Sequence, residues 1–250
     1  MIVIHKRASR MKVPFHSRAR AVDIVSSYIH KQTPASFFSH ILDIFFPRTC
    51  IGCSNQRTLL CVRCLSKIPS APPTEHSFIR GVFDYHHPLI KDAVWRLKYK
   101  HVQGFAEVFA EKLYEEIIGE LGDNLDAAPK ETFLLIPVPL HKKRLSERGY
   151  NQSELIARAI IAYDQAHTFE LAPDILVRIH ATAPQARSQK RTARIANLRG
   201  AFACTDPSYV RGRIVILIDD VTTTGATLLE AKRALIAAKP RKVLAFTVAH

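Results

Sequence analysis

The sequence predicts an α/β fold in which helices flank a parallel sheet, and two observations support this. Residues Thr132–Val138 and Ile214–Ile218 form almost wholly apolar runs, which are typical of strands buried on both faces. Amphipathic helical patterns separate such runs, and this alternation favours a doubly wound sheet. In a sheet of this kind, ligands bind beyond the carboxyl ends of the strands.

The individual elements follow from the spacing of apolar residues. Alternating or continuous apolar positions predict strands, apolar positions three or four residues apart predict helices, and a stretch rich in Asp, Ala and Pro predicts a connector. In chain order we expect a strand at Phe78–Tyr85, helices at Pro88–Tyr99 and Gly104–Leu121, a connector at Gly122–Lys130, the strand Thr132–Val138, a helix at Asn151–Tyr163, strands at Ile175–Ile179 and Ile214–Ile218, a helix at Ala226–Ala238 and a strand at Val243–Val248.

The composition is that of a folded protein with a basic N-terminal part. The 250 residues are 47% hydrophobic and 23% charged, which excludes disorder of the whole chain. The longest apolar runs are far shorter than the roughly 20 residues that span a bilayer. No signal-peptide pattern follows the basic N-terminus, so we expect a cytoplasmic protein. We divide the chain into a basic extension at 1–35, a four-cysteine segment at 36–70, a strand with two helices at 71–130, and the main domain at 131–250.

Positive charge is concentrated in two regions. Residues 1–100 hold 16 lysines and arginines against 5 acidic residues, and residues 175–205 hold six basic residues and no acidic one. Such regions attract nucleic acid or phosphorylated ligands, although a basic surface can also serve only solubility.

The four-cysteine segment has the spacing of a metal site. Cys50 and Cys53 form one Cys-x-x-Cys pair, Cys61 and Cys64 form a second, and seven residues separate the pairs. Two such pairs complete a tetrahedral, four-thiolate zinc site with a structural role. Redox or disulfide pairing is the alternative, and a reducing compartment disfavours it. Because the segment is too short for a core of its own, bound zinc would supply its folding energy.

The sharpest motif follows the most apolar strand. Asp219 and Asp220 come directly after Ile214–Ile218, and a turn rich in threonine, with Gly225, leads into a helix. Adjacent carboxylates at a sheet edge can bind sugar hydroxyls or a hydrated divalent ion, and a helix N-terminus can bind a phosphate. The alternative is that the acids only cap the helix and the threonines fill the turn. The chain has neither a Walker loop nor a Gly-x-Gly-x-x-Gly motif, which disfavours nucleoside triphosphate and dinucleotide sites.

This motif resembles the loop of type I phosphoribosyltransferases that binds phosphoribosyl pyrophosphate (PRPP). From Phe46 onward the chain resembles the ComF competence-protein family, which is linked to natural transformation and to the use of external DNA. The shared marks are Leu97–Tyr99, Ile136–Leu140, Arg148–Gln152, Thr182–Gln185, Arg194–Asn197, Gly200–Phe202 and the Asp-Asp loop. The resemblance implies a phosphoribosyltransferase-like domain at 131–250, in which Asp219 and Asp220 contact the ribose. It also implies that the 5′-phosphate is held by Val221, Thr222, Thr223, Thr224, Gly225, Ala226 and Thr227.

Two further segments complete the implied site for Mg²⁺ and PRPP. After Thr132–Val138 comes a basic loop that leads into a helix, and lysine, arginine and a helix N-terminus together neutralise a diphosphate. A solvated run of charges is the alternative for any one of these side chains. The segment 180–200 occupies the position of the hood loop that closes over PRPP in related transferases, or it tracks a single-stranded DNA backbone. The implied pyrophosphate and hood residues are Lys142, Lys143, Arg144, Arg148, Asn151, Gln152, Gln185, Arg194 and Asn197.

Two hypotheses of different class therefore stand. The protein is a phosphoribosyltransferase with an unidentified acceptor, or it is a non-catalytic factor that reuses the fold to bind single-stranded DNA or a partner. The candidate partners are PRPP or a related sugar phosphate, single-stranded DNA, and an ATPase or helicase of DNA uptake. Lys98 belongs to one of the shared motifs, and two roles stay open for it: helix packing with one solvated amine, or a contact in the pocket.

Overall fold

The structure is a computed structural model that describes residues 48–125, 132–179 and 199–250. Arg48–His250 forms one compact unit. The predicted basic extension at 1–35, the first part of the four-cysteine segment, residues 126–131 and the basic segment 180–198 lie outside the described residues. Three of the predicted site residues, Gln185, Arg194 and Asn197, fall in that last segment.

Strands and helices alternate along the described chain. The strands are β1 Ile79–Phe83, β2 Phe133–Pro137, β3 Phe169–Leu171, β4 Leu176–Arg178, β5 Phe202–Cys204, β6 Ile214–Val221 and β7 Lys242–Ala249. The helices are α1 Val62–Leu65, α2 Pro88–Tyr99, α3 Phe105–Leu125, α4 Lys142–Arg148, α5 Gln152–Tyr163, α6 Pro207–Val210 and α7 Ala226–Ile236.

Five of the strands form a parallel sheet in the order β1-β7-β6-β2-β3. Leu217 of β6 pairs with Ala245 of β7 on one side and with Ile136 of β2 on the other. Strand β6 is therefore central, and its carboxyl end lies at the sheet edge where α/β folds bind ligands. Strands β4 and β5 form a separate antiparallel pair.

Helices cover both faces of the parallel sheet. Along β6, Ile216 and Ile218 join one buried cluster, and Val215 and Leu217 join the other, as the two-residue period of a strand requires. The first cluster includes residues of α2, α3 and α5, and the second includes residues of α7 with the β4–β5 pair. This three-layer arrangement confirms the α/β fold class expected from the apolar runs. Among the described residues, no helix is long and apolar enough to cross a membrane.

Most predicted elements are confirmed, with shifted ends. The predicted helix Pro88–Tyr99 has the same bounds in the structure; the imidazole of His87 accepts the backbone N–H of Leu89 at its start, and Pro88 occupies the first helical position. Helix α3 continues through Leu125, so the expected connector is partly helical.

The structure adds three details in the second half of the chain that the patterns did not predict. The Ile175–Ile179 strand does not join the main sheet, because β4 pairs with β5 and the short β3 takes the edge position beside β2. The basic loop after β2 contains the helix α4, which His141 caps at its start and Gly149 ends in a left-handed conformation. Strand β6 extends to Val221, so both aspartates lie within the strand.

Candidate functional site

Two carboxylates at the end of β6 are held by side chains from other elements. Asp219 Oδ1 accepts the hydroxyl of Ser153 at 2.9 Å and the backbone N–H of Asp220 at 2.9 Å. Asp220 Oδ1 lies 2.9 Å from Nζ of Lys98, at the end of α2. Asp220 is only 8% exposed and Asp219 is partly buried. The sheet, α2 and α5 thus converge on one acidic pair.

The acidic pair carries more negative charge than its surroundings neutralise. Burial, and then the charge of Asp220, raise the pKa of Asp219 to about 7. The Ser153 hydroxyl, the Asp220 N–H and Lys98 lower that pKa, but they only partly compensate. The arrangement therefore favours a ligand that brings hydroxyl donors or positive charge to the carboxylates.

The turn after β6 is built from its own threonines. The backbone N–H of Thr222 donates to the carbonyl of Ala249, and Thr222 Oγ1 accepts the N–H of Gly225 at 3.1 Å. Thr224 Oγ1 accepts the N–H of Ala226 at 3.4 Å. Gly225 precedes α7 with φ of +70°. The first-turn N–H groups of α7, which also contains Thr227, thus follow the acidic pair after five residues.

Two histidines line a cavity of about 290 Å³ together with residues 222–225 of this turn. His76 precedes β1, and His250 follows β7. The hydroxyl of Thr74 donates to the carbonyls of His76 and Ile79 at 2.7 and 3.0 Å, which fixes the turn that carries His76. Sequence reasoning missed both histidines, because neither lies near the Asp-Asp motif along the chain.

We expect Gly225→Ala to disturb the turn by strain and by collision. A Cβ on residue 225 would lie 2.7 Å from Cδ2 of His76 and 2.9 Å from Cδ1 of Ile79. Left-handed backbone in a non-glycine residue costs about 1–3 kcal/mol before the collision is counted. Gly212→Ala is the matched control, because Gly212 has φ of +74° and open space around its Cβ position. Thermal unfolding should show a larger loss of Tm for Gly225→Ala, and equal losses would contradict this account of the turn.

The basic residues predicted after β2 divide into two groups. Arg144 and Arg148 of α4 line a cavity of about 340 Å³ together with Lys98. Lys142 and Lys143 are exposed, and among the described residues neither lines that cavity. Arg148 donates to the Tyr99 hydroxyl at 3.2 Å and to Gln152 Oε1 at 2.9 Å, and its guanidinium lies over the Tyr99 ring.

Asn151 and Gln152 serve the start of α5. Asn151 Oδ1 accepts the N–H of Ser153 at 3.2 Å, and its Nδ2 donates to the carbonyl of Val138 at 3.1 Å. Gln152 is fully buried and orients Arg148. Both residues therefore position neighbours of the site, and Ser153, which the sequence analysis did not single out, contacts Asp219.

The four cysteines come together as predicted. Their Sγ atoms all lie within 4.8 Å of one another, and those of Cys53 and Cys61 are 3.5 Å apart. A tetrahedral site with metal–sulfur bonds of about 2.3 Å places its sulfurs about 3.8 Å apart, so the cluster fits a metal ion. Gly52 allows this approach, because a Cβ there would lie 2.9 Å from Cys64 Sγ.

The thiols differ in how readily they ionise. Burial opposes ionisation of Cys50, but the N–H groups of Cys61, Gly52 and Cys53 outweigh it and lower the pKa to about 6. Hydrogen bonding to Cys53, followed by burial, raises the pKa of Cys64 to about 12. Four thiolates in this space repel one another, and a bound dication would remove that repulsion.

Comparisons with known proteins agree with this architecture. Residues 158–250 match the model of the phosphoribosyl transferase domain. The chain is 33% identical over 190 residues to the DNA utilization protein YhgH of Salmonella typhimurium, covering 72% of each protein. It is 35% identical over 121 residues to the competence protein ComFC of Bacillus subtilis, covering 48% of this chain and 45% of that one.

The chain belongs to the ComF family. The competence protein F of Haemophilus influenzae is a further relative, 34% identical over 102 residues, or 40% of this chain and 43% of that protein. ComF membership and the domain match confirm the type I phosphoribosyltransferase-like fold expected from the motifs. Lys98 and Ser153, which hold the two aspartates, both precede the matched domain.

Proposed function

We propose that this ComF family protein binds Mg²⁺-PRPP or a related ribose phosphate at the end of β6 and acts in DNA uptake or in the use of external DNA. One observation carries the proposal: a buried central strand ends in two carboxylates, and a threonine turn leads directly into α7. The names of the relatives, DNA utilization protein and competence protein, support the proposed biological role.

Each part of the ligand has a matching chemistry in the site. Asp219 and Asp220 would accept hydrogen bonds from the ribose hydroxyls, and residues 221–227 would hold the 5′-phosphate through backbone N–H groups and hydroxyls. Arg144 and Arg148 would neutralise the pyrophosphate. The aspartates offer the oxygen ligands that Mg²⁺ takes, and the ion would neutralise charge on the phosphates.

If the protein is a transferase, a nitrogen acceptor attacks the anomeric carbon as the bond to pyrophosphate breaks. The residues of the site would contribute positioning and electrostatic stabilisation of the departing group. Among the described residues, we assign no general base and no group that recognises an acceptor. Binding of PRPP is thus the part of the proposed function that the described residues support.

We further propose that the metal of the four-cysteine cluster is zinc. Four thiolates and no open position are typical of a structural Zn²⁺ site. Such a site would fix the segment 48–68, whose buried residues Cys50, Leu60 and Leu65 belong to the same core as α3.

Calorimetric titration of PRPP with Mg²⁺ into the purified chain tests the proposed function. We expect saturable binding with one site per chain, together with binding of ribose 5-phosphate. No heat of binding with either ligand, at protein concentrations well above a Kd of about 100 µM, would refute the proposal.

Single-stranded DNA binding is the second candidate function, and an exposed surface of α2 favours it. Trp95 and Tyr99 are 47% and 56% exposed, with ring centroids 6.4 Å apart. Lys100 Nζ lies 5.0 Å from the Trp95 ring centre, and Arg148 lies over Tyr99. Exposed rings interleaved with cations are the platforms on which single-stranded nucleic acids stack.

Binding of an uptake ATPase or helicase, and a cytoplasmic location, stay predictions.

We expect Trp95→Ala to weaken binding of a fluorescein-labelled oligo(dT), measured by anisotropy. Loss of one stacking ring costs about 1–3 kcal/mol, or roughly 5- to 150-fold in Kd. Tyr163→Ala is the control, because Tyr163 is an exposed aromatic residue of α5. Unchanged affinity for Trp95→Ala would remove α2 from the DNA-binding surface.

A further inference from the structure

We propose that Lys98 is a binding residue between the acidic pair and the cavity lined by α4. It would contact Asp220 and, at the same time, the pyrophosphate group of a PRPP molecule whose ribose is bound by the aspartates. The inference rests on the proposed function and extends it to a residue outside the matched domain. Of the two roles that stayed open for Lys98 in the Leu97–Tyr99 motif, it selects the contact in the pocket.

The first observation is the position of the ammonium group. Nζ of Lys98 lies 2.9 Å from Oδ1 of Asp220, and the two side chains are 18% and 11% exposed. An ammonium group has three N–H donors, and this contact uses one of them. The remaining donors are available to a ligand beside the acidic pair.

The second observation is the cavity that Lys98 shares with α4. The cavity of about 340 Å³ is lined by Lys98, Tyr99, His101, Arg144, Glu147 and Arg148. One lysine and two arginines line the cavity with one carboxylate, that of Glu147, so basic side chains outnumber acidic ones in the lining. A diphosphate suits such a cavity, since its oxygens accept charge-assisted hydrogen bonds from lysine and arginine.

The third observation is that surrounding contacts fix the end of α2. Leu97 is fully buried, and its carbonyl accepts the hydroxyl of Tyr150. Tyr99 contacts Arg148 through its hydroxyl and its ring. Lys98 therefore extends from a rigid backbone between two anchored residues, and its ammonium group lies at the boundary between the carboxylates and the cavity.

One ligand can occupy both the acidic pair and the basic cavity next to Lys98. With the ribose on the aspartates, a pyrophosphate at the anomeric carbon is the anionic group adjacent to it, and Lys98 would donate to its oxygens while still contacting Asp220. Ribose 5-phosphate has no such group. Lys98 should thus matter for PRPP and pyrophosphate, and little for ribose 5-phosphate.

The test compares Lys98→Gln with Lys98→Arg and with the control Lys91→Gln, an exposed lysine on the same helix. Affinities for inorganic pyrophosphate and for ribose 5-phosphate are measured by calorimetry with Mg²⁺ in excess, and thermal melts verify folding. We expect Lys98→Gln to weaken pyrophosphate binding about 10- to 100-fold, the effect of one charge-assisted hydrogen bond, and to change ribose 5-phosphate binding less than about threefold. Lys98→Arg should retain most of the pyrophosphate affinity.

Two results would overturn the inference while leaving the proposed function intact. Equal weakening of both ligands would mean that Lys98 only orders Asp220, and unchanged pyrophosphate affinity would mean that it does not contact the anion. Failure of the unaltered protein to bind PRPP as well as these two ligands would refute the proposed function itself.

Discussion

The Asp219→Asn/Asp220→Asn variant is expected to lose at least about 100-fold in affinity for PRPP with Mg²⁺. Each carboxylate would accept a charge-assisted hydrogen bond from the ribose, worth about 1.5–3 kcal/mol, and both are removed together. The variant should still fold, because asparagine is nearly isosteric and the substitution removes the buried, mutually repelling charges that raise the pKa of Asp219. Calorimetry measures the affinity, and a thermal melt measures the stability.

The matched control is Glu115→Gln/Glu116→Gln, which removes two adjacent acidic residues from the exposed surface of α3. It makes the same change in net charge far along the chain from the aspartates. The control should bind PRPP as the unaltered protein does. A folded Asp219→Asn/Asp220→Asn variant with unchanged affinity would contradict the assignment of the acidic pair.

Loss of the metal from the four-cysteine cluster is expected to have the largest effect on stability. A structural zinc ion contributes on the order of 10 kcal/mol to the domain that it folds. If even about 4 kcal/mol of this is lost, Tm falls by roughly 10 °C for a chain of this size. We expect that fall for Cys64→Ser, and elemental analysis should find about one zinc per chain in the unaltered protein and little in the variant.

Cys204→Ser is the control for this substitution. Cys204 is the fifth cysteine, lies in β5 and is partly buried against a different part of the core. Its replacement should leave the zinc content unchanged and lower Tm far less. Metal-free protein with an unaltered Tm, or disulfides within the cluster by mass spectrometry, would contradict a structural zinc site.

The strongest periodic patterns gave the correct elements. The apolar runs before Val138 and before Asp219 are buried on both faces, so their strand identity followed from composition alone. The bounds of Pro88–Tyr99 followed from apolar positions three or four apart, and the structure adds the cap that His87 provides. The spacing of the two Cys-x-x-Cys pairs was likewise sufficient to bring four sulfurs together.

The sequence was less informative where long-range packing decides the structure. Strands β3, β4 and β5 have three residues each, too few for a clear period, and partner choice among them depends on the rest of the fold. Helix α4 was missed for a local reason, because the charged stretch between its caps, His141 and Gly149, contains one apolar residue and so shows no helical period.

The residues of the candidate site likewise fall into those that a local motif identified and those that only the packing brings together. The acids, the threonine turn and Gly225 are contiguous, so the motif identified them together. Lys98, Ser153 and His76 lie 66 or more residues from Asp219 and reach the site only through the packing of α2, α5 and the segment before β1. The contacts of Lys98 and Ser153 explain how the acidic pair is held in place.

A crystal structure of the chain soaked with PRPP and Mg²⁺ would show whether the ligand binds at the end of β6. We expect electron density for the ribose at Asp219 and Asp220, for the 5′-phosphate at residues 222–227, and for the pyrophosphate between Lys98 and Arg148. Density for the ligand elsewhere, or an acidic pair without ligand at concentrations that saturate binding in solution, would contradict the proposed site.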